Sequence, residues 1–344
     1  MRVRAAIVAT AVALTLALAG CSSSADGAPT DARTKLTVVS TIAISTYAPF
    51  YLALQAGYFA DAGLDVDYKL GPETNIGPTM LSGQADIGMT GTPSPLLLAQ
   101  QGRDTKIILN AIGGGAGMFG AGLPQYKDIT DCKKMISQIK GQTSYAAAVN
   151  VRTIFGANYE ILDRYNQSPL MTAAAMSGEG DCLVTAYAAL SPVIAAGKMK
   201  LLLNPGDKST LPAAWPSGLA EGTFWALGNR LKDKKFTDAL PKFIAALDRA
   251  SKDIIGVESA QDVARRLGEN KDFGGQSAAK LAGDYSVFKP FILPEQGEIT
   301  EASWNDSLDY FVTGGVIQGN PKDQLYSYAD RVDMSFYKAA RALS

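Results

Sequence analysis

Residues 36–70 read LTVVSTIAISTYAPFYLALQAGYFADAGLDVDYKL, and this stretch decides the fold. Residues 36–43 are rich in β-branched side chains, which predicts a strand. Pro49 suits the first turn of a helix, apolar residues follow at helical spacing, and Gly63 is typical of a helix C-terminus. Residues 64–70 alternate between apolar and charged, the period of a half-buried strand. The stretch therefore predicts a strand–helix–strand unit.

The same alternation of strand and helix continues along most of the chain. Further strands are predicted at residues 85–90, 106–112, 143–148, 181–185, 199–203 and 223–228. Helices are predicted at residues 76–81, 96–101, 131–139, 154–165 and 192–196, with apolar helical stripes after residue 230. The predicted fold class is α/β, with two mainly parallel-sheet lobes joined by two crossing strands and a helical C-terminal segment. We place the first lobe at 36–118, the second at 119–222, and the return to the first lobe with the C-terminal helices at 223–344.

A glycine-dense segment at residues 113–122 contains Gly115-x-Gly117-x-x-Gly120 directly after a predicted strand. A dinucleotide-binding fingerprint has this spacing, but it must open a helix, and Pro124 and the neighbouring glycines break one. We interpret the segment as an extended crossing between the lobes.

The N-terminal end has the pattern of an export signal. Two arginines precede an apolar run over residues 5–19, which is shorter than the roughly 20 residues needed to span a bilayer. Leu18-Ala-Gly-Cys21 closes the run and resembles the bacterial lipobox. We therefore expect a signal peptide at 1–20, lipid on Cys21, a flexible tether at 21–35, and a protein held to the outer face of the cytoplasmic membrane by that lipid alone.

Composition excludes several classes of function. The chain of 344 residues has 32 basic and 33 acidic residues, so no nucleic-acid partner is implied. It has no histidine, which excludes Ser-His and Cys-His nucleophile pairs and histidine metal sites. We predict a protein that is not an enzyme and holds neither cofactor nor metal. In an oxidising compartment Cys132 and Cys182 predict a disulfide, the alternative being two buried thiols.

Four loops follow predicted strands and precede predicted helices, where unpaired backbone N–H groups favour ligand binding. All four carry hydroxyl groups, and one carries an arginine suited to a carboxylate or sulfonate. This set favours a small organic anion: a sulfonate, a carboxylate or an aromatic acid. The alternatives are helix-capping hydroxyls and a solvated arginine, in which case a neutral heterocycle fits equally. The candidate ligand-binding residues are Ser45, Thr46, Tyr47, Thr90, Thr92, Arg152, Thr153 and Tyr187.

Two motifs resemble a known family. Residues 47–66, YAPFYLALQAGYFADAGLDV, and residues 82–88, SGQADIG, are similar to solute-binding proteins of the nitrate/sulfonate/taurine and pyrimidine-precursor class. The resemblance implies a type II periplasmic-binding-protein fold, a monomer that closes on a small-molecule solute, and delivery to an ABC permease and its ATPase. It also implies that Asp86 supports the loop structure and that ligand contacts fall on the first two loops and on a helix start at Arg152-Thr153.

Two other functions remain open. An extracytoplasmic enzyme on the same fold would work through carboxylates such as Asp86 or Glu160. A ligand sensor would dock to a membrane receptor instead of a permease.

Overall fold

Ten strands form two five-stranded sheets in the part of the chain that this computed structural model describes. The described residues are 33–41, 43–113, 118–207, 209, 211–216, 218–273, 275–292 and 297–343, without the side chains of 73 and 74. The predicted signal peptide, Cys21 and nearly all of the predicted tether lie outside them. No helix in the described ranges has both the length and the apolar character needed to cross a membrane.

The first sheet has the strand order β2-β1-β3-β10-β4. Its first three strands run parallel, and β10 pairs antiparallel with both β3 and β4. The strands are β1 Thr34–Ser40, β2 Leu64–Leu70, β3 Ile87–Gly91, β4 Thr105–Ile112 and β10 Gly222–Leu227. The helices between them are α1 Ala48–Gln55, α2 Tyr58–Asp61, α3 Glu73–Leu81 and α4 Pro93–Gln100.

The second sheet repeats this plan with the order β7-β6-β8-β5-β9. Here β5 is the strand that runs antiparallel to its neighbours, so the prediction of two mainly parallel sheets is confirmed. The strands are β5 Phe119–Gly122, β6 Lys134–Gln138, β7 Glu160–Tyr165, β8 Cys182–Thr185 and β9 Lys200–Leu203. The helices are α5 Thr143–Phe155, α6 Ser168–Ser177 and α7 Tyr187–Ala195.

Six α-helices follow β10 in the described part of the chain, as the apolar stripes predicted. The longest, α8, begins where the Asp233 side chain accepts hydrogen bonds from Lys235 N and Phe236 N, and its apolar face packs on α1. The helices are α8 Lys234–Ala250, α9 Ala260–Gly268, α10 Ala278–Phe288, α11 Glu301–Thr313, α12 Tyr328–Arg331 and α13 Ser335–Arg341.

Three predicted elements of the second lobe are wrong. The predicted helix at 131–139 contains strand β6, which lies between β7 and β8 and so shows a short apolar run instead of alternation. The predicted strand at 143–148 is the first half of α5, whose three consecutive alanines favour helix. The second half of the predicted helix at 154–165 is β7, because α5 ends at Phe155 and its C-cap, Gly156, has a left-handed φ of 65°.

A glycine and a tryptophan fix the contact between β3 and β10. The Trp225 side chain is fully buried over Gly88, where an added Cβ would lie 2.3 Å from the indole Cε2. The indole Nε1 donates a hydrogen bond of 2.9 Å to Thr90 Oγ1. The missing side chain at residue 88 therefore lets the ring cover the strand and engage a candidate site residue.

A disulfide joins Cys132 and Cys182, with 5.8 Å between their Cα atoms. Cys132 precedes β6 and Cys182 opens β8, so the bond lies at the amino ends of two adjacent parallel strands. This is the pairing expected from the sequence. It lies at the opposite end of these strands from the loop that leads from β8 into α7.

Candidate functional site

The first predicted loop forms a short 3-10 helix, Ser45–Tyr47, between β1 and α1. Ser45 and Thr46 are 2% and 1% exposed, and neither hydroxyl makes a hydrogen bond within the described residues. Tyr47 packs edge-on against Phe224, with 6.3 Å between ring centroids. The two hydroxyls are therefore available to a solute, whereas the tyrosine ring is part of the first-lobe core.

The second predicted loop contains Thr90 and Thr92, and its two hydroxyl protons are already used. Thr90 Oγ1 donates to the carbonyl of Gly91 at 3.1 Å, and Thr92 Oγ1 donates to the carbonyl of Ala220 at 2.5 Å. Both side chains are buried. A hydroxyl has one proton, so in this structure neither threonine has a proton left to donate to a solute, and their role as ligand-binding residues stays a prediction. Thr92 lies at the N-cap position of α4 but makes no side-chain capping bond, so the helix-capping alternative does not describe it either.

Gly91, between those threonines, is one point of contact between the two lobes. A Cβ at Gly91 would lie 3.2 Å from Thr143 Oγ1, and Thr143 is the first residue of α5 in the second lobe. The carboxyl end of β3 thus faces the N-terminus of a thirteen-residue helix. Helix N-termini carry N–H groups without intrahelical partners, so the gap beside this contact is suited to hold a polar solute.

Arg152 and Thr153 are not at a helix start, which corrects the predicted third loop. They lie in the last turn of α5, nine residues beyond Thr143, or about 13 Å along the helix axis. Both are exposed, and Thr153 Oγ1 donates back to the carbonyl of Val149 at 2.9 Å. The error follows from the wrong strand prediction at 143–148, which moved the expected helix start toward the arginine.

Tyr187, from the fourth predicted loop, does open a helix directly after a strand. It is the first residue of α7, it is half-buried, and its ring meets Phe119 edge-on at 5.4 Å between centroids. Burial raises the pKa of its phenol, and the negative charge of Asp284 raises that pKa further. Tyr187 therefore lies at the second-lobe side of the cleft, near a carboxylate.

Helix α10 borders the cleft from both lobes, and this was missed from the sequence. It contacts the Ser45–Tyr47 turn of the first lobe and α7 of the second, and Phe288 packs on Phe119 at 5.7 Å between centroids. On this helix Asp284 is fully buried. The sequence does contain a signal for this buried carboxylate, because Asp284 interrupts the apolar stripe formed by Leu281, Tyr285 and Phe288.

The carboxylates named for an enzyme lie elsewhere. Asp86 precedes β3 and accepts hydrogen bonds from Thr37 N and Arg230 Nε, each at 2.9 Å. Glu160 is the exposed first residue of β7. Both are at the amino ends of parallel strands, opposite the site loops. Asp86 thus has the structural role that the resemblance implies, and neither carboxylate reaches the cleft loops.

Two hollows lie beside the cleft. A cavity of about 30 Å³ is lined by Thr46, Tyr47, Asn110 and Asp248, a volume close to that of one water molecule. An open groove of about 470 Å³ lies between α5 and α11, on the same side as Trp215 and Tyr310. Within the described ranges no three acidic or cysteine side chains are grouped to hold a metal ion.

Two α/β lobes whose strand-end loops face each other define the class of fold. It is the periplasmic binding protein fold, which the solute-binding components of ABC importers share. The fold class and the family resemblance drawn from the sequence are both confirmed.

Residues 44–114 match the family model described as NMT1/THI5 like. Among solved structures, the chain is similar to the periplasmic nitrate-binding protein NrtA from Synechocystis PCC 6803, at 15% identity and TM-score 0.68, covering 91% of this chain and 89% of that one. It is also similar to the periplasmic sulfonate-binding protein SsuA from Methylobacillus flagellatus KT, at 14% identity and TM-score 0.66, covering 91% and 95%.

A third similar structure is the ligand-binding component of an ABC-type import system from Staphylococcus aureus with zinc bound, at 12% identity and TM-score 0.66, covering 90% of this chain and 99% of that one. At these identities the likeness establishes the fold. Among curated proteins, none matches the sequence significantly.

Proposed function

We propose that this protein is the solute receptor of an ABC importer, held outside the cytoplasmic membrane by lipid on Cys21, and that it binds its solute between the two lobes. One observation carries the proposal: Gly91 at the end of β3 faces Thr143 at the start of α5, 3.2 Å from a Cβ position. Loops from both sheets therefore form one cleft. The similarity to ABC solute-binding components supports the same function.

The receptor closes over the solute without converting it. The hydroxyls of Ser45 and Thr46 and the N-terminus of α5 supply hydrogen-bond donors from opposite lobes. A solute that binds both lobes stabilises the closed form by mass action, and the closed form is the one that a permease would receive. The organic anion expected from the sequence loses its main support, because Arg152 lies outside these loops.

The test blocks the cleft with one large side chain. Thr143→Trp fills the gap beside Gly91, so the purified, lipid-free protein should lose all binding of its solute while keeping its far-ultraviolet circular dichroism. The matched control is Thr153→Trp, which makes the same change on the exposed last turn of the same helix and should bind normally.

Binding is measured by titration calorimetry with the solute that co-purifies with the wild-type protein, identified by mass spectrometry. The solute should be recovered chemically unchanged and in stoichiometric amount. Equal affinity of the Thr143→Trp variant and the wild type would refute binding at the cleft. Recovery of a converted solute would favour an enzyme instead.

A further inference from the structure

The buried charged side chains of the described residues share one sign. They are Glu221, Asp248 and Asp284, at 4%, 4% and 0% exposure, and all three are acidic. Glu221 adjoins the second loop, because its carbonyl accepts a hydrogen bond from Thr92 N at 3.0 Å. Asp248 lines the small cavity beside Thr46 and Tyr47. Two of the three carboxylates are ion-paired, Asp248 with Arg341 at 3.3 Å and Asp284 with Lys280 at 2.5 Å.

Asp284 is the member of this set with an unmet hydrogen-bonding group. Its Oδ2 is 2.5 Å from Lys280 Nζ, one turn earlier on α10. Its Oδ1 is buried and has no hydrogen-bond partner in the described part of the protein. A desolvated carboxylate oxygen without a donor is unfavourable, so each such group in a folded protein calls for a partner.

The position of Asp284 points to a solute as that partner. Helix α10 contacts the Ser45–Tyr47 turn on one lobe and α7 on the other, and the Asp284 charge acts on the Tyr187 phenol. The loops facing the gap, residues 45–47, 90–92, 142–145 and 186–188, contain no charged residue. Asp284 and Lys280 are the two charged residues of α10, the helix that borders these loops.

We infer that the solute is a small organic cation carrying N–H groups, a protonated amine, amidine or guanidine, and that Asp284 Oδ1 accepts a hydrogen bond from it. This inference rests on the proposed function and specifies its ligand class. The face of Tyr187, beside Phe119, suits a planar cation through cation–π attraction.

Three probes of nearly equal shape separate the effect of the ligand's charge from the effect of its shape. Benzamidine is a cation, benzamide is neutral and benzoate is an anion. At millimolar concentration benzamidine should raise the melting temperature of the lipid-free protein, benzamide should raise it less, and benzoate should leave it unchanged. The absence of any benzamidine effect, or a larger effect of benzoate, would overturn the inference.

One variant of α10 and a control outside that helix assign the effect to Asp284. Asp284→Asn keeps the shape and removes the charge, and should weaken benzamidine binding by about tenfold or more, since hydrogen bonds to charged groups are the stronger kind. Glu258→Gln is the control, because that half-buried carboxylate is held by Arg266 at 2.6 Å and adjoins none of the cleft loops. Unchanged affinity of Asp284→Asn would remove Asp284 from the site.

Lys280→Met gives an independent answer if Asp284→Asn does not fold. Removing the ammonium that competes for Asp284 should strengthen benzamidine binding and lower the stability of the empty protein. A site that binds anions through Lys280 would show the reverse, with binding of benzoate or butanesulfonate lost in Lys280→Met.

Failure of the inference and failure of the proposed function are distinguishable. If an anion binds, and Thr143→Trp abolishes its binding while Asp284→Asn does not, the proposed receptor function is supported and the inference of a cationic solute is refuted. If bound benzamidine is unaffected by Thr143→Trp, the cleft itself is refuted as the binding site.

Discussion

Replacing Gly88 with alanine places a methyl group against a rigid, fully buried ring. The added Cβ would lie 2.3 Å from Trp225 Cε2, 2.4 Å from Nε1 and 2.6 Å from Cζ2, all shorter than any ordinary carbon contact. The indole has nowhere to move without leaving Thr90, whose Oγ1 accepts its hydrogen bond at 2.9 Å. Overpacking of a dense core costs about 1–3 kcal/mol, and loss of the hydrogen bond adds about 1 kcal/mol.

We therefore expect Gly88→Ala to lower the free energy of unfolding by about 2–4 kcal/mol. For a domain of this size the melting temperature should fall by roughly 5 °C or more, measured by differential scanning calorimetry. Gly71→Ala is the control, because a Cβ there has no heavy atom within 4 Å, and it should change stability by less than about 0.5 kcal/mol.

A double-mutant cycle with Trp225→Leu tests the cause. Trp225→Leu alone is destabilising because it leaves a cavity, but in that background Gly88→Ala should cost almost nothing, since the clashing ring is gone. The same loss of stability on Gly88→Ala in both backgrounds would refute the reasoning.

Two further predictions concern the cysteines. Replacing both Cys132 and Cys182 with serine opens a loop with a sequence separation of 50 residues, and should lower the free energy of unfolding by about 4 kcal/mol on the chain-entropy model. Solute affinity should not change, because the disulfide lies at the strand ends opposite the site. An unchanged melting temperature would contradict this prediction. Cys21→Ser should abolish the incorporation of labelled fatty acid into the protein in expressing cells, with the Cys132/Cys182 double variant as the labelled control; fatty acid still incorporated into Cys21→Ser would exclude Cys21 as the lipidated residue.

The first lobe could be predicted from the sequence because its signals are local and strong. Strands β1 and β2 have seven residues each, one rich in β-branched side chains and the other alternating, and Pro49 and Gly63 mark the ends of the helical segment between them. Each element could be recognised without knowing its neighbours.

The second lobe was harder because its strands are short and buried. Strand β6 has five residues, of which the middle three are buried, so no alternation reveals it. Helix α5 begins Thr-Ser-Tyr, residues that favour strands or caps, before its alanines. One misplaced element shifted the next two and carried Arg152 to a false helix start.

The site was only partly predictable because the partners of its side chains are distant in sequence. The carbonyl that accepts from Thr92 belongs to Ala220, 128 residues later, and the indole that binds Thr90 is 135 residues away. Asp284 is further still from the Ser45–Tyr47 turn that its helix contacts. Local sequence placed Ser45 and Thr46 correctly in the turn after β1, but tertiary contacts decide which hydroxyls remain available to a solute.

The most direct test of the central claim is a crystal structure of the wild-type protein with its co-purified solute. The solute should lie between the lobes, in contact with Ser45 or Thr46 on one side and with Thr143 or Tyr187 on the other. A solute bound only in the groove beside Trp215 and Tyr310, or to a single lobe, would contradict binding at the cleft.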